Sequence, residues 1–299
     1  MTPTAPAPPD AAVLDCRGRA LEAGPGAGVV MGILNVTPDS FSDGGRYTTV
    51  QAALERAGQM ADQGAAIVDV GGESTRPGSA AVGLDQELER VVPVVEAVVR
   101  ELPHLLVSVD TSKGAVAREA LRAGAHLVND VTGLRRDVGT AVAAAEYRAP
   151  LVVMHSLEGV GGTAPDGAYR DVVEDVARDL EAASSKAEAL GVPQVVVDPG
   201  FGFGKTVEQN VRLIGRLDRL VEAGRPVLVG VSRKSTIGAI LGSASRPSPP
   251  DERLFGSLGL AAFAVVRGAA ILRVHDVRET VEVVAVVRAA LEAGAEVAS

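Results

Sequence analysis

Met31 to Arg46 reads MGILNVTPDSFSDGGR. A short apolar strand stops at Asn35, and the chain turns at once into a polar, turn-rich loop. Thr37, Pro38, Asp39, Ser40, Ser42, Asp43, Gly44 and Gly45 cannot build a core, and Phe41 stands alone among them. A buried strand that ends on an amide and opens into a hydroxyl-rich loop suits the active-site mouth of a parallel β/α barrel. On that reading the same pattern must recur along the chain.

It does recur. After a small hairpin expected over about Ala12 to Val30, helical stretches close on Gly, and each is followed by an apolar run that ends on a polar residue. Gly64 precedes AAIV and Asp69; Gly124 precedes AHLV and Asn129; Gly191 precedes VPQVVV and Asp198; Gly268 precedes AAIL and Arg273. These glycines suit the left-handed position just past a helix C-terminus. Four further runs are VVMGIL before Asn35, LLVSV before Asp110, LVVM before His155 and PVLVGV before Ser232. Near-continuous apolar runs of this length suit parallel strands covered on both faces. Amphipathic helices fill the gaps: Val172, Val176, Leu180, Ala183, Ala187 and Leu190 fall on one stripe. Thr48 with Gln51 suggests a capping box for the first of these helices, and Pro93 should kink the second. With no break in composition, the pattern predicts a single (β/α)8 barrel, the TIM barrel, over residues 12–299. A doubly wound open sheet is the alternative.

The bulk numbers agree with one barrel, since ~250 residues is routine for that fold and the chain has 299. Aromatics are scarce and Trp is absent, so Val, Ala, Leu and Gly must build the core. A net charge of −9 with no basic stripe argues against nucleic acid as a partner. Local Arg and Lys can still serve a small anionic substrate. Cys16 is the single cysteine, which excludes internal disulfides and thiolate metal clusters. No apolar run approaches a membrane span. Residues 1–11, opening MTPTAPAPPD, read as a disordered tail without the character of a signal peptide. A cytoplasmic location is expected.

In such a barrel the strand C-termini carry the chemistry. The inventory there is Asn35, Asp69 with Glu73, Asp110, Asn129, His155, Asp198, Ser232 to Lys234, and Arg273 to His275. A polar residue at one strand end is ordinarily a turn or cap; so many together point to a site. Asp110, Asn129 and Asp198 offer acceptors that a flat heterocycle with ring N–H and amino groups can satisfy. Arg273, His275 and Arg76 form an anion zone, beside which Asn35 is a neutral oxygen ligand suited to Mg2+ carried by substrate phosphates. The competing account of Asp110 and Asp198 is a structural ion pair with Lys234 or Arg233. Asp69 and Glu73 flank Gly71 and Gly72 and are expected to orient the second loop.

Three motifs need separate treatment. DPGFGFGKT resembles a phosphate loop, but Pro199 stands where the Walker pattern needs Gly, so a P-loop is rejected. Phe201 and Phe203 in that stretch suit the core and a ligand equally well. His155 has no His or Cys at ligand spacing, and His104 and His126 fall at strand entries on the opposite face, which argues against zinc.

Seven segments, in order, resemble dihydropteroate synthases over about Val29 to Val277. They are LNVTPDSFSDGG (Leu34 to Gly45), GGESTRPG (Gly71 to Gly78), SVDTSK (Ser108 to Lys113), NDVTG (Asn129 to Gly133), DPGFGFGK (Asp198 to Lys205), SRKS (Ser232 to Ser235) and RVHDV (Arg273 to Val277). The resemblance implies condensation of 4-aminobenzoate with a hydroxymethyl-dihydropterin diphosphate and release of pyrophosphate, with Mg2+ as cofactor. It implies that Asp110, Asn129, Asp198 and Lys234 hold the pterin, and that Asn35, Thr75, Arg273 and His275 hold the diphosphate, Asn35 also meeting the metal. It places 4-aminobenzoate near Phe41, Arg76, Pro77, Phe203, Lys234 and Ser235. Asn35, Arg273, His275 and Lys234 then stand closest to the chemistry as catalytic residues. In the family mechanism pyrophosphate leaves first and the arylamine attacks a pterin methylene cation, so no nucleophilic side chain is needed. A homodimer is also implied.

Two departures stand out. After Met154-His155 the family usually continues with Gln-Gly, whereas this chain has SLEGVGGTAPDGAYRD, and Thr236 follows SRKS where an aromatic is common. Two other functions compete with the transferase. A pterin-binding methyl-transfer domain would not need the diphosphate group of Asn35, Thr75, Arg273 and His275. A catalytically silent pterin-binding paralogue is favoured only by the altered fifth loop.

Overall fold

The computed structural model describes residues 13–36, 46–74, 81–157, 168–243 and 245–296. The expected tail, 1–11, lies outside them. Two short antiparallel strands, β1 (Val13–Asp15) and β2 (Ala20–Glu22), form the hairpin. Eight parallel strands follow: β3 (Val29–Asn35), β4 (Ile67–Gly71), β5 (Leu106–Asp110), β6 (Leu127–Asp130), β7 (Leu151–Met154), β8 (Val195–Asp198), β9 (Leu228–Val229) and β10 (Ile271–Val274). Their order is β8-β7-β6-β5-β4-β3-β10-β9, and a parallel bridge from Val197 to Val227 joins the two ends. A sheet whose first and last strands meet is a barrel, so the open-sheet alternative is set aside.

The helices are α1 (Arg46–Asp62), α2 (Leu84–Glu101), α3 (Gly114–Arg122), α4 (Gly139–Glu146), α5 (Val172–Ala189), α6 (Val207–Gly215), α7 (Asp218–Val221), α8 (Ser235–Leu241), α9 (Leu254–Val266) and α10 (Val277–Glu296). The helix-closing glycines Gly64, Gly124, Gly191 and Gly268 all have φ between +94° and +108°, as the spacing required. The stripe on α5 is buried through Val172, Val176, Leu180 and Ala187, while Leu190 at its end is exposed. One cap expectation fails. Helix α1 begins at Arg46, so Thr48 and Gln51 lie inside it, and the Gln51 amide donates to Glu55 instead. The capping box is found at α6, where Thr206 and Gln209 bond reciprocally. Helix α2 runs unbroken through Pro93.

Strand periodicity sorts the barrel interior into layers. Met31, Ile67, Leu106, Leu127, Val152, Val196, Leu228 and Ile271, one from each barrel strand, pack together at the floor. Leu14, Cys16, Leu21 and Ala23 of the hairpin segment complete the same cluster, so the hairpin plugs the barrel from below. Each such buried aliphatic side chain is worth about 1.5–3 kcal/mol. The hairpin is also fastened from its rim: Arg17 donates to the carbonyls of Leu121 and Ala125, Arg19 to those of His104 and Leu105, and the Gln194 amide to Val13. Residues of the opposite parity, among them Val30, Val68, Val107, Val128, Val153, Val197 and Leu272, face outward into the helix-packed core.

Candidate active site at the strand C-termini

Two residues above the floor layer, the same inward parity turns polar. It brings up Asp69, Ser108, Asn129, Asp198 and Arg273, and one layer higher Asn35, Asp110, Ser232 and His275. The chain thus exchanges an apolar floor for an ionic mouth without changing direction.

At the centre is Arg273. Its Nε donates to Asp69 Oδ2 at 2.6 Å and its Nη2 to Asp110 Oδ2 at 2.6 Å. Asn129 Nδ2 donates to the same Asp69 oxygen at 2.9 Å. Burial alone would lower the guanidinium pKa, but Asp69 and Asp110 reverse this and raise it. Burial pushes the Asp110 carboxyl up to about 7 against the pull of Arg273. Asp198 is likewise raised by burial; its Oδ1 accepts the Gly200 N–H at 2.7 Å. Lys234 is buried beside Arg273 and is pushed down to about 8.

Two acceptors in this group are shut off from water and have no hydrogen-bond partner: Asp69 Oδ1 and Asn129 Oδ1. An unsatisfied buried acceptor is costly unless a ligand donor meets it. Asp110 does take up a structural ion pair, with Arg273 in place of Lys234 or Arg233. Arg233 binds Asp276 instead, and among the described residues no cation lies within ion-pair distance of Asp198.

His275 belongs to the mouth as a neutral ring. Burial and Arg273 push it down to about 4. Ser232 Oγ accepts the His275 main-chain N–H at 3.2 Å and lies 3.1 Å from Nδ1. Oγ keeps a second lone pair, so Nδ1 either accepts the hydroxyl proton or donates to the same oxygen. As a neutral ring His275 brings no full positive charge to an anion, and Arg273 supplies the charge of this zone. Asn35 ends β3 opposite Gly71, and its side chain bonds to no described residue. Among the described residues no three His, Cys, Asp or Glu gather to hold a metal. A lone amide oxygen fits a hard cation that brings its other ligands with it.

The stretch DPGFGFGK wraps the far side of the mouth. Gly200, Gly202 and Gly204 all take positive φ, and a Cβ on Gly200 would overlap the His155 carbonyl. Lys205, pushed down to about 7 by burial, donates Nζ to the carbonyls of Gly200 at 2.9 Å and Phe203 at 3.2 Å. Phe201 is core, whereas the Phe203 ring lies 3.8 Å beneath Lys234 Nζ, a cation–π contact beside Ser235 at the start of α8. Phe201 thus takes the core role, while Phe203 is only half-buried and stays outside it.

Thr75, Phe41, Arg76 and Pro77 lie outside the described residues. Of the other candidates, Asp110, Asn129 and Arg273 are joined by direct bonds through Asp69. Lys234 and Phe203 form a second contact, and His275 is held by Ser232. Asp69 corrects the sequence reading: it is fully buried at the centre of the mouth, and its inward parity with Ile67 was the available signal. Glu73 does take the structural part, paired with Lys113 at 2.5 Å and Arg136 at 3.6 Å. His155 is buried and pushed down to about 3, mainly by desolvation, with Nε2 3.5 Å from Asp179.

The comparisons with known proteins converge on one family. The family model of pterin binding enzymes matches residues 31–275. A dihydropteroate synthase of Streptococcus pyogenes serotype M3 is 46% identical over 263 residues, covering 87% of this chain and 95% of that protein. Xanthomonas albilineans dihydropteroate synthase with 4-aminobenzoic acid superposes with a TM-score of 0.84 at 46% identity, over 93% of this chain and 98% of that one. The same enzyme in complex with 7,8-dihydropteroate gives 0.82 at 44% identity, over 94% and 99%. A closed barrel, a strand-end acceptor cluster and an alignment running through every motif leave one assignment: the chain belongs to the pterin-binding enzyme family and, within it, to the dihydropteroate synthases.

Proposed function

We propose that this mouth joins 4-aminobenzoate to (7,8-dihydropterin-6-yl)methyl diphosphate, giving 7,8-dihydropteroate and pyrophosphate. The observation that carries the reading is the pair of unpartnered buried acceptors, Asp69 Oδ1 and Asn129 Oδ1, set among Asp110 and Asp198. A pterin ring presents in-plane N–H and amino donors to such a set. Asp110, Asn129 and Asp198 bind that edge, with Asp69 as a fourth acceptor, and Lys234 lies against the ring from the Phe203 side.

The C–O bond between the pterin methylene and the diphosphate breaks, and its electron pair leaves with pyrophosphate. Arg273, His275, Asn35 and Thr75 receive the departing anion; stabilising charge as it develops is what lowers the barrier. Mg2+, when bound, supplies positive charge to the phosphates, and Asn35 is the residue that would hold it. The arylamine nitrogen then attacks the methylene carbon, forms the C–N bond and loses a proton. Phe203, Lys234 and Ser235, together with Phe41, Arg76 and Pro77, hold the arylamine for that attack, so the enzyme's task is orientation. With both substrates and Mg2+, chromatography must show dihydropteroate; purified protein that binds a pterin analogue but yields none would make the chain a silent paralogue.

The working form is a homodimer, with α9 as the contact. Phe255, Phe263 and Val266 follow one stripe of that helix and are 83%, 40% and 54% exposed. Large apolar side chains aligned on one helix mark an interface. Phe255→Asp with Phe263→Asp should give monomers by sedimentation; an unchanged mass would move the contact elsewhere. Among the described residues no helix is long and apolar enough to cross a membrane, and the cytoplasm is the proposed location.

A further inference from the structure

Asn210 and Thr236 have no part in the reaction above, yet both are buried beside it, at 1% and 3% exposure. Asn210 lies early in α6 and its amide is fully used. Oδ1 accepts the Gly202 N–H at 2.8 Å, while Nδ2 donates to the Lys205 carbonyl at 3.1 Å and to Thr236 Oγ1 at 2.9 Å. The first two bonds grip the main chain on either side of Phe203. The third reaches α8 at the residue after Ser235, two beyond Lys234. One side chain therefore ties together the segments that carry Phe203 on one wall and Lys234 with Ser235 on the other.

We propose that the Asn210–Thr236 hydrogen bond is a positioning link that sets the separation of the two walls of the arylamine pocket. The proposal rests on the reading of Phe203, Lys234 and Ser235 as arylamine contacts. Lys205 fixes the loop toward β7, donating Nζ to the His155 carbonyl at 3.4 Å, and Asn210 adds the tie to α8. The pterin acceptors Asp69, Asp110 and Asn129 stand on β4, β5 and β6 and are joined through Arg273, with no bond passing through Asn210. Lys234 is the one residue of the linked walls that also meets the pterin, so loosening the link should act mainly on the arylamine and less on the pterin.

Thr236→Val keeps the side-chain shape and removes the acceptor. It should raise the arylamine KM roughly fivefold, with the pterin diphosphate KM moving much less. Thr236→Ala, which places no methyl against the amide, should give the same shift, and Thr236→Ser, which restores the hydroxyl, should return it to the parent value. Phe203→Ala serves as the control on the pocket and must raise the same KM. If Phe203→Ala does so while Thr236→Val and Thr236→Ala do not, or move both KM values alike, or if Thr236→Ser fails to restore, the link is overturned and the pocket stands. If Phe203→Ala leaves the arylamine KM unaltered, the pocket reading falls and the link with it.

Discussion

Arg273 meets two demands at once: it neutralises Asp69 and Asp110 in the folded chain, and the proposed mechanism asks it to receive pyrophosphate. The sequence alone suggested the second part, so that Arg273→Ala would lower turnover more than pterin binding. The observed pairs add a stability effect, because truncation leaves two buried carboxylates without their cation. Breaking a buried pair from one side costs about 3–5 kcal/mol. Urea unfolding should show a loss of that order together with the fall in turnover; a variant as stable as the parent would mean that the two carboxylates are satisfied by other means. Asp198 presents a simpler case. Asp198→Asn replaces an acceptor with a group that also carries donors, and losing one charge-assisted bond should weaken binding of a pterin diphosphate analogue by ~1.5–3 kcal/mol. Calorimetry giving equal affinities would remove Asp198 from the pterin site.

Among the elements, the hairpin shows how the floor supports the mouth. β1 and β2 close the barrel interior with Leu14 and Leu21, and the rim that fastens them includes His126, whose Nδ1 accepts the Val107 N–H at 3.0 Å. Burial, with Arg19 and Arg17 nearby, pushes this imidazole from 6.5 down to about 4. The folded protein thus binds the proton less readily than the unfolded chain. The contribution of the neutral ring is complete above pH 6.5 and is lost as the pH falls toward 4. Urea midpoints measured across that interval should fall more steeply for the parent than for His126→Gln; parallel curves would mean that His126 does not titrate against folding. The strands and the helix-closing glycines were legible because both carry strong local signals, apolar runs and left-handed turns. The α1 cap was misread because a Thr-x-x-Gln pattern is compatible with a helix interior as well as with its start, as Gln51 bonding to Glu55 illustrates.

For the whole molecule, the eightfold repeat made the barrel and its strand-end face readable, and the matched segments pointed to Asp110, Asn129, Asp198, Lys234 and Arg273, which the fold gathers there. What stayed hidden depends on distances that no local pattern encodes. Asp69 reads from the sequence as a strand-end residue that orients the second loop, and only its bonds to Arg273 and Asn129 put it at the centre of the mouth. Asn210 meets Thr236 across 26 positions of sequence, and Lys205 joins a loop to a neighbouring strand through main-chain oxygens that any residue would supply. The neutral state of His275 likewise follows from burial, with Arg273 beside it, which only the closed barrel brings about.

The central claim is that the mouth joins two substrates with loss of pyrophosphate. Its most direct test is the stoichiometry of pyrophosphate and dihydropteroate when the protein turns over with pterin diphosphate, 4-aminobenzoate and Mg2+. The account predicts about one pyrophosphate per dihydropteroate, since each C–N bond formed at the methylene requires its C–O bond to diphosphate to break, and it predicts that Asp110→Asn and Arg273→Ala suppress both products together. Dihydropteroate formed without pyrophosphate, or undiminished turnover in both variants, would contradict it.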